Sequence, residues 1–219
     1  GNFNIEDYNY AKKHGKISED YKVWWGYEDK KLFQFAREEA SRLASSDKPF
    51  NLQLLTADTH FTDGYLDETC AKTFANKYDN VHACSSKQVA EFVKWVQSQP
   101  FYKNTTIIIS GDHLGMQTSY YDEKTAGTNY QRTIYNAFIN PATTTDRTKN
   151  RRFTTFDMYP STLAALGVKV DGERLGLGTN LFSSKETLAE QYGGIENLNA
   201  ELAKRSDYYE KKIFTKSGN

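Results

Sequence analysis

The sequence predicts an α/β domain built on a mainly parallel sheet flanked by helices. Three observations carry that prediction. The triplet Ile107-Ile108-Ile109, bounded by Thr105-Thr106 and Ser110-Gly111, reads as a short strand covered on both faces, as in the middle of a parallel sheet. A second apolar run, Phe50 to Thr56, opens after Pro49 and ends in Ala57-Asp58-Thr59-His60. A helical pattern lies between the two, so they read as strands joined by a crossover, parallel, with their carboxyl ends on one edge. In open α/β sheets that edge is where ligands bind.

Residues 1–22 form a polar lead-in, closed by Trp24-Trp25-Gly26. From Asp29, the residues Leu32, Phe33, Phe35, Ala36, Ala40 and Leu43 recur at helical spacing, and the pattern fades at Ser45-Ser46. After the strand at 50–56 comes a polar excursion from Asp67 to Ser86. Ser85 or Ser86 then caps a helix with Val89, Phe92, Val93 and Val96 on one face, which Pro100 ends. The strand at 105–109 follows. Gln117 to Gln131 reads as a long loop, and loops of that length in a compact domain are usually functional or mobile. Thr133 to Ile139 reads as another strand, stopped by Asn140-Pro141. Phe156 to Leu166 reads as a helix with Gly167 as its stop. The stretch from Gly172 to Ser183 is glycine-rich and looped, and 185–219 is a charged helical tail on the periphery.

A length of 219 residues suits one substantial domain with a real core, taken here as a single domain over 1–219. Lys plus Arg and Asp plus Glu are both 28, and no basic run is present, which argues against a nucleic-acid partner. The mean hydropathy is −0.74 and no apolar run approaches a membrane span. Gly1 reads as a scar of tag removal, so the chain is expected to be part of something longer, with targeting segments upstream and a sheet incomplete at its N-terminal side.

The chemistry-bearing residues gather at the strand ends. Asp112 and His113 follow the isoleucine strand, and a carboxylate beside a neutral imidazole suits a divalent cation such as Mn2+, Mg2+ or Zn2+. His60 ends the other strand and is expected on the same edge. Arg132 has two readings, a phosphate contact or a solvated residue at a strand start. Asp58 and Asp157 both fit as neighbours of the metal, and for Asp157 the first reading is the cap of the helix that follows it. His14 and His82 lie in polar segments and read as surface residues. Cys70 and Cys84 enclose roughly 14 residues and leave two readings open, a bridge worth about 3 kcal/mol or two unrelated thiols.

Four blocks in order carry a family resemblance. They are Trp25-Gly26-Tyr27-Glu28-Asp29 with Leu32-Phe33; Leu55-Thr56-Ala57-Asp58-Thr59-His60-Phe61; the strand into Ser110-Gly111-Asp112-His113-Leu114-Gly115; and Phe156-Asp157-Met158-Tyr159-Pro160-Ser161-Thr162-Leu163 through Leu175-Gly176-Leu177-Gly178-Thr179-Asn180-Leu181. Over about residues 22–183 the chain resembles the alkaline phosphatase and sulfatase superfamily, and within it the branch of lipoteichoic acid synthases and phosphoglycerol transferases. The Asp-Thr-His-Phe block with two cysteines after it is closer to the phosphoglycerol transferases.

The resemblance implies a sulfatase-like fold and a metal-dependent transfer of phosphoglycerol from a phosphatidylglycerol-type lipid to a glycan or polyglycerolphosphate acceptor. It places that reaction at the outer face of the bacterial cytoplasmic membrane, in the cell envelope, with a membrane-anchored parent. Asp112 and His113 correspond to metal ligands, with Mn2+ the first choice. His60 corresponds to the histidine on the substrate phosphate or glycerol, and Trp25 to a wall of the site. In an extracellular setting Cys70 and Cys84 are expected to be bridged. The family's first acidic ligand and nucleophilic threonine have no counterpart before Trp24. The chain is therefore expected to hold the C-terminal part of the catalytic domain and to be inactive by itself. Two alternatives remain: a sulfatase or phosphodiesterase of the same superfamily, and a metal-free binding domain of the cell surface.

Overall fold

The structure, a computed structural model, describes residues 4–46 and 48–214. The ends of the lead-in and tail, Gly1 included, lie outside the described residues. In chain order the elements are α1 (Tyr8–Lys13), α2 (Asp29–Ala44), α3 (Lys77–Gln97), β1 (Ile107–Ser110), α4 (Thr118–Thr125), β2 (Asn136–Ile139), α5 (Met158–Ala165), β3 (Arg174–Leu175), β4 (Gly178–Thr179), α6 (Leu188–Gln191), α7 (Ile195–Leu202) and α8 (Asp207–Tyr209). They divide into two compact units. The first holds residues 1–104 and 113–134, the second 105–112 and 135–219.

In the first unit α2 begins at the expected Asp29 and buries Phe33, Ala36 and Ala40. Its Phe33 ring lies 5.2 Å from Phe92 of α3. The helix α3 starts earlier than the sequence suggested, at Lys77 rather than after Ser85. The Asn76 side chain accepts from the Tyr78 amide at 2.7 Å, and this Asx cap, with Tyr78 and Val81 buried below it, outcompetes a serine more than two helical turns later. Cys84 is thus helical, and the disulfide to Cys70 (Cα–Cα 5.6 Å) staples an irregular segment onto α3. The polar lead-in also holds a helix, α1, capped by the Asp7 side chain on the Tyr10 amide. The long loop after His113 contains α4, whose Tyr120 and Tyr121 rings pack on Tyr78 and His82 of α3. His82 is consequently not a surface residue: burial among these rings pushes its pKa down. His14 is exposed, as expected.

The second unit corrects the sheet. β1 pairs with β2 antiparallel, in the register Ile107↔Ile139, Ile108↔Phe138, Ile109↔Ala137, Ser110↔Asn136. A two-stranded antiparallel hairpin, β3–β4, is the other sheet among the described residues. The predicted parallel partner at 50–56 joins neither. Its side chains alternate, with Leu52 and Leu54 half-buried and Asn51, Gln53 and Leu55 exposed, but no ladder forms there. Side-chain alternation specifies that a chain is extended and which side is covered; it does not name the strand whose amides complete the ladder. The isoleucines are accordingly half-buried rather than covered on both faces.

Behind the hairpin, the Ala165 carbonyl at the end of α5 accepts from the Ala142 amide at 2.7 Å and from the Thr106 hydroxyl at 3.3 Å. Gly167, with φ +84°, supplies the left-handed residue that ends α5. Asp157 stands at the N-cap position of α5, but its side chain makes no cap bond to that helix; instead its carboxylate accepts from the Thr154 amide at 2.8 Å, closing the turn before the helix, and from the Thr179 amide at 2.7 Å, tying helix to hairpin. Before α5, Arg151 is held by the Glu190 carboxylate at 2.7 Å and by the carbonyls of Leu181, Ser183 and Lys185.

Candidate functional site

The first part of the site is a tight turn. Val23 and Gly26 exchange both backbone hydrogen bonds, at 3.1 and 2.9 Å, leaving Trp24 and Trp25 at the tip. Trp24 takes φ +53°, a conformation that a bulky side chain adopts only when its surroundings compel it. Here its indole N–H donates to the Ala57 carbonyl at 3.3 Å, linking the tryptophan turn to the turn that carries His60.

Two buried carboxylates fix the same junction. Asp29, the first residue of α2, accepts from the Ala57 amide at 2.7 Å and the Asp58 amide at 3.1 Å, while Asp58 accepts from the Asp29 amide. Burial, followed by the charge of Asp29 beside it, pushes the Asp58 carboxyl up to about 7. Burial also raises Asp29. Asp58 therefore serves as a brace between the start of α2 and the turn that carries His60.

His60 stands just past this brace. Its ring centroid is 3.8 Å from that of Trp25, so the two residues expected to share a substrate do come together. Its Nδ1 lies 2.6 Å from the Phe61 carbonyl, an acceptor only, so Nδ1 is the donor of that contact. The turn around it is held by the Tyr78 hydroxyl on the Thr59 carbonyl at 2.6 Å and by the Lys77 ammonium on the Gly64 carbonyl at 2.9 Å.

Asp112 and His113 follow β1, both exposed. His113 repeats the arrangement at His60, with Nδ1 2.8 Å from the Leu114 carbonyl. A carboxylate and an imidazole poised in this way have the right chemistry for a divalent ion, but such ions take about four to six donors. Among the described residues no group of three or more His, Cys, Asp or Glu side chains is arranged to hold one. Two donors are fewer than such an ion takes.

Four residues beyond His113, Gln117 joins Asp63, three residues beyond His60. Its carbonyl oxygen accepts from the Asp63 amide at 2.8 Å and its NH2 donates to the Asp63 carboxylate at 2.6 Å. Nothing in the residue pattern announced this pairing. Arg132 donates to the Gly115 carbonyl at 2.5 Å and lies 4.1 Å from the centre of the Tyr121 ring, which fixes its position against the loop after His113.

The sequence model of the sulfatase family matches residues 2–168. Among curated proteins, phosphoglycerol transferase I of Citrobacter koseri is 32% identical over 108 residues, covering 45% of this chain and 14% of that protein. The same-named proteins of Salmonella newport and Escherichia fergusonii match equally, so the chain spans 14% of the length of these relatives. No solved structure matches. The chain belongs to the sulfatase family, and within that family its similarity runs to the phosphoglycerol transferase I proteins.

Proposed function

We propose that this chain carries the C-terminal part of the active site of a metal-dependent phosphoglycerol transferase of the bacterial cell envelope, working at the outer face of the membrane. The donor is a glycerophospholipid of the phosphatidylglycerol type, and the acceptor a glycan or polyglycerolphosphate. The nucleophile and the remaining metal ligands belong to sequence outside this chain, whose relatives are far longer. The disulfide between Cys70 and Cys84 supports an oxidising compartment. No helix among the described residues is long and apolar enough to cross a membrane, so anchoring falls to the rest of the protein.

The carrying observation is the Gln117–Asp63 amide–carboxylate pair, which ties the loop after His113 to the loop after His60. It supports a single site in which Asp112 and His113 hold the metal and His60 addresses the substrate. A divalent ion, Mn2+ by preference, supplies Lewis acidity toward a phosphoryl oxygen when bound there. The chain's own residues bind and orient. His60 accepts a hydroxyl proton of the glycerol or phosphate at Nε2, Trp25 forms the wall beside it, and Arg132 adds positive charge for the phosphate. A hydrolase of sulfate or phosphate esters is the second reading, favoured by the family model itself, which spans more of the chain than the transferase relatives do.

In the full-length protein, Asp112→Ala and His113→Ala should each abolish transfer from phosphatidylglycerol and weaken Mn2+ binding. His60→Ala should leave Mn2+ affinity intact while lowering turnover. Release of glycerol phosphate to water alone, with none passed to a glycan, would select the hydrolase. An Asp112→Ala enzyme turning over near the wild-type rate would sink the metal assignment.

A further inference from the structure

In the first unit His82 of α3 sits in an aromatic enclosure that α4 completes. The ring centroids of Tyr78, Tyr120 and Tyr121 lie 4.3, 6.0 and 6.3 Å from that of the imidazole. The Tyr121 hydroxyl stands 3.4 Å from His82 Nε2. The Tyr121 ring also lies against Gly115, where a Cβ would overlap it, and carries the Arg132 guanidinium 4.1 Å from its centre. Arg132 in turn donates to the Gly115 carbonyl. Gly115 is two residues beyond His113, so this enclosure sets the path of the chain directly after His113. Yet α4 is lightly moored, with none of its residues fully buried. Besides the rings, it is held by Lys124 and the Tyr120 hydroxyl on the Asp79 carboxylate, and by Gln117, just before it, on Asp63.

We infer that His82 and Tyr121 form a proton-operated latch, which keeps α4 and the chain after His113 docked while the imidazole is neutral and releases them when it is protonated. A neutral imidazole suits an enclosure of phenol rings, and its Nε2 can accept from the Tyr121 hydroxyl. A protonated ring has donors at both nitrogens and carries a charge that the enclosure shields from water. Burial accordingly holds the His82 pKa below the usual 6.5, and Asp79 works the other way with a smaller effect. Undocking returns the ring to water and to its ordinary affinity for a proton, so acid favours the open state. The other titratable and charged groups around the imidazole are Tyr78 and Asp79 on its own helix and Tyr120, Tyr121 and Lys124 on α4, with Arg132 over Tyr121. Hydrogen bonds from Lys124 and Tyr120 hold Asp79 below the usual carboxylate range, and burial raises the Tyr78 and Tyr120 hydroxyls. Those three groups therefore keep their charge between about pH 5 and about pH 7.5. The latch goes beyond the transfer reading and stands without it; only its effect on chemistry at His113 rests on that reading.

The test is amide hydrogen exchange of this chain, read as protection factors so that the intrinsic effect of pH on exchange is removed. From about pH 7.5 to about pH 5, the amides of 115–125 should lose protection on the order of tenfold, within the limit of about tenfold per pH unit for one proton taken up. The amides of α2 should keep theirs, which separates undocking from loss of the whole fold. His82→Phe keeps a ring in the enclosure but cannot titrate, so its 115–125 amides should hold the same protection at both pH values. His113 remains in that variant, and a loss driven by its own titration would persist there. Should the variant misfold, NMR titration of the His82 ring in the wild-type chain still decides, with a midpoint expected below 6.5. The proposal is overturned if α2 loses protection in step with α4, if the loss persists in His82→Phe, or if the ring titrates at or above 6.5. Because the readout is exchange in this chain, with neither metal nor substrate added, its failure is separate from any failure of transfer in the full-length protein.

Discussion

Asp29 and Asp58 each accept a hydrogen bond from the other's backbone amide, both at 3.1 Å. The pair closes a ring between the start of α2 and the turn that leads to His60. Both residues fall in blocks that carry the family resemblance. Their positions are accounted for by the backbone they hold, with no direct part in the chemistry required of them.

The brace has a cost that depends on pH. With the Asp58 carboxyl raised to about 7 from an ordinary 3.8, the folded chain holds a proton that the unfolded chain has lost. Its contribution is fully present below the unfolded value and is lost as pH rises through about 7. Asp58→Asn keeps an oxygen for the Asp29 amide and has no charge to bury. The variant should therefore gain on the wild type by on the order of 2 kcal/mol between pH 5 and pH 8. Thermal unfolding of both proteins across that range checks it. Taking the difference matters, because buried His82, with its pKa lowered, changes stability in the opposite direction.

Removal of the disulfide should cost about 3 kcal/mol, as expected for a closed loop of this length. Urea midpoints of the oxidised chain and of the Cys70→Ser, Cys84→Ser double variant give the difference. The intact mass of the non-reduced chain should be lower by two hydrogens than that of the reduced one.

Gly178→Ala should be among the most damaging single substitutions in the second unit. A Cβ at that position would meet the Phe156 carbonyl oxygen at 1.9 Å, a backbone atom that cannot turn aside. The loss should exceed about 2 kcal/mol, since either the β3–β4 hairpin or the turn into α5 must move. Denaturant unfolding measures it, with Gly176→Ala as a comparison at a site with open space but positive φ.

Arg151→Ala should cost about 3–5 kcal/mol by leaving Glu190 partly buried without its main partner. Burial works to raise the Glu190 carboxyl, but hydrogen bonds from Arg151 and the Thr187 amide outweigh it and hold the group at about 2. The stability this supplies is present above about 4.5 and lost as pH falls toward 2. Acid unfolding of the variant should be correspondingly flatter across that window.

The sequence disclosed those features that depend on neighbouring residues in the chain. Helix α2 from Asp29 and the stop at Gly167 follow from local spacing and cap chemistry. The direction of strand pairing did not follow, since Ile107–Ile109 carries no mark of whether Asn136–Ile139 or the run at 50–56 completes its ladder. The start of α3 was misjudged because Asn76 and Ser85 are both acceptable caps and burial of Tyr78 and Val81 decided between them. At the site, His60, Trp25, Asp112 and His113 were visible as residue types at strand ends and in family blocks. The Gln117–Asp63 pair and the mutual hold of Asp29 and Asp58 were not, since a single polar residue gives no signal of a partner dozens of positions away.

The staple at Cys70 has a consequence for how far His60 can travel. The histidine lies two residues after Asp58 and ten before Cys70, so both ends of its segment are moored. At about 3.3–3.6 Å of reach per residue, the short end sets a leash of only a few ångströms. In the role proposed for His60, a substrate would have to be brought to the imidazole, because the imidazole cannot swing out to fetch it. Reduction of the disulfide lengthens only the far side of the leash, so a reducing agent should loosen the segment beyond Phe61 while leaving the position of His60 beside Trp25 in the keeping of Asp29.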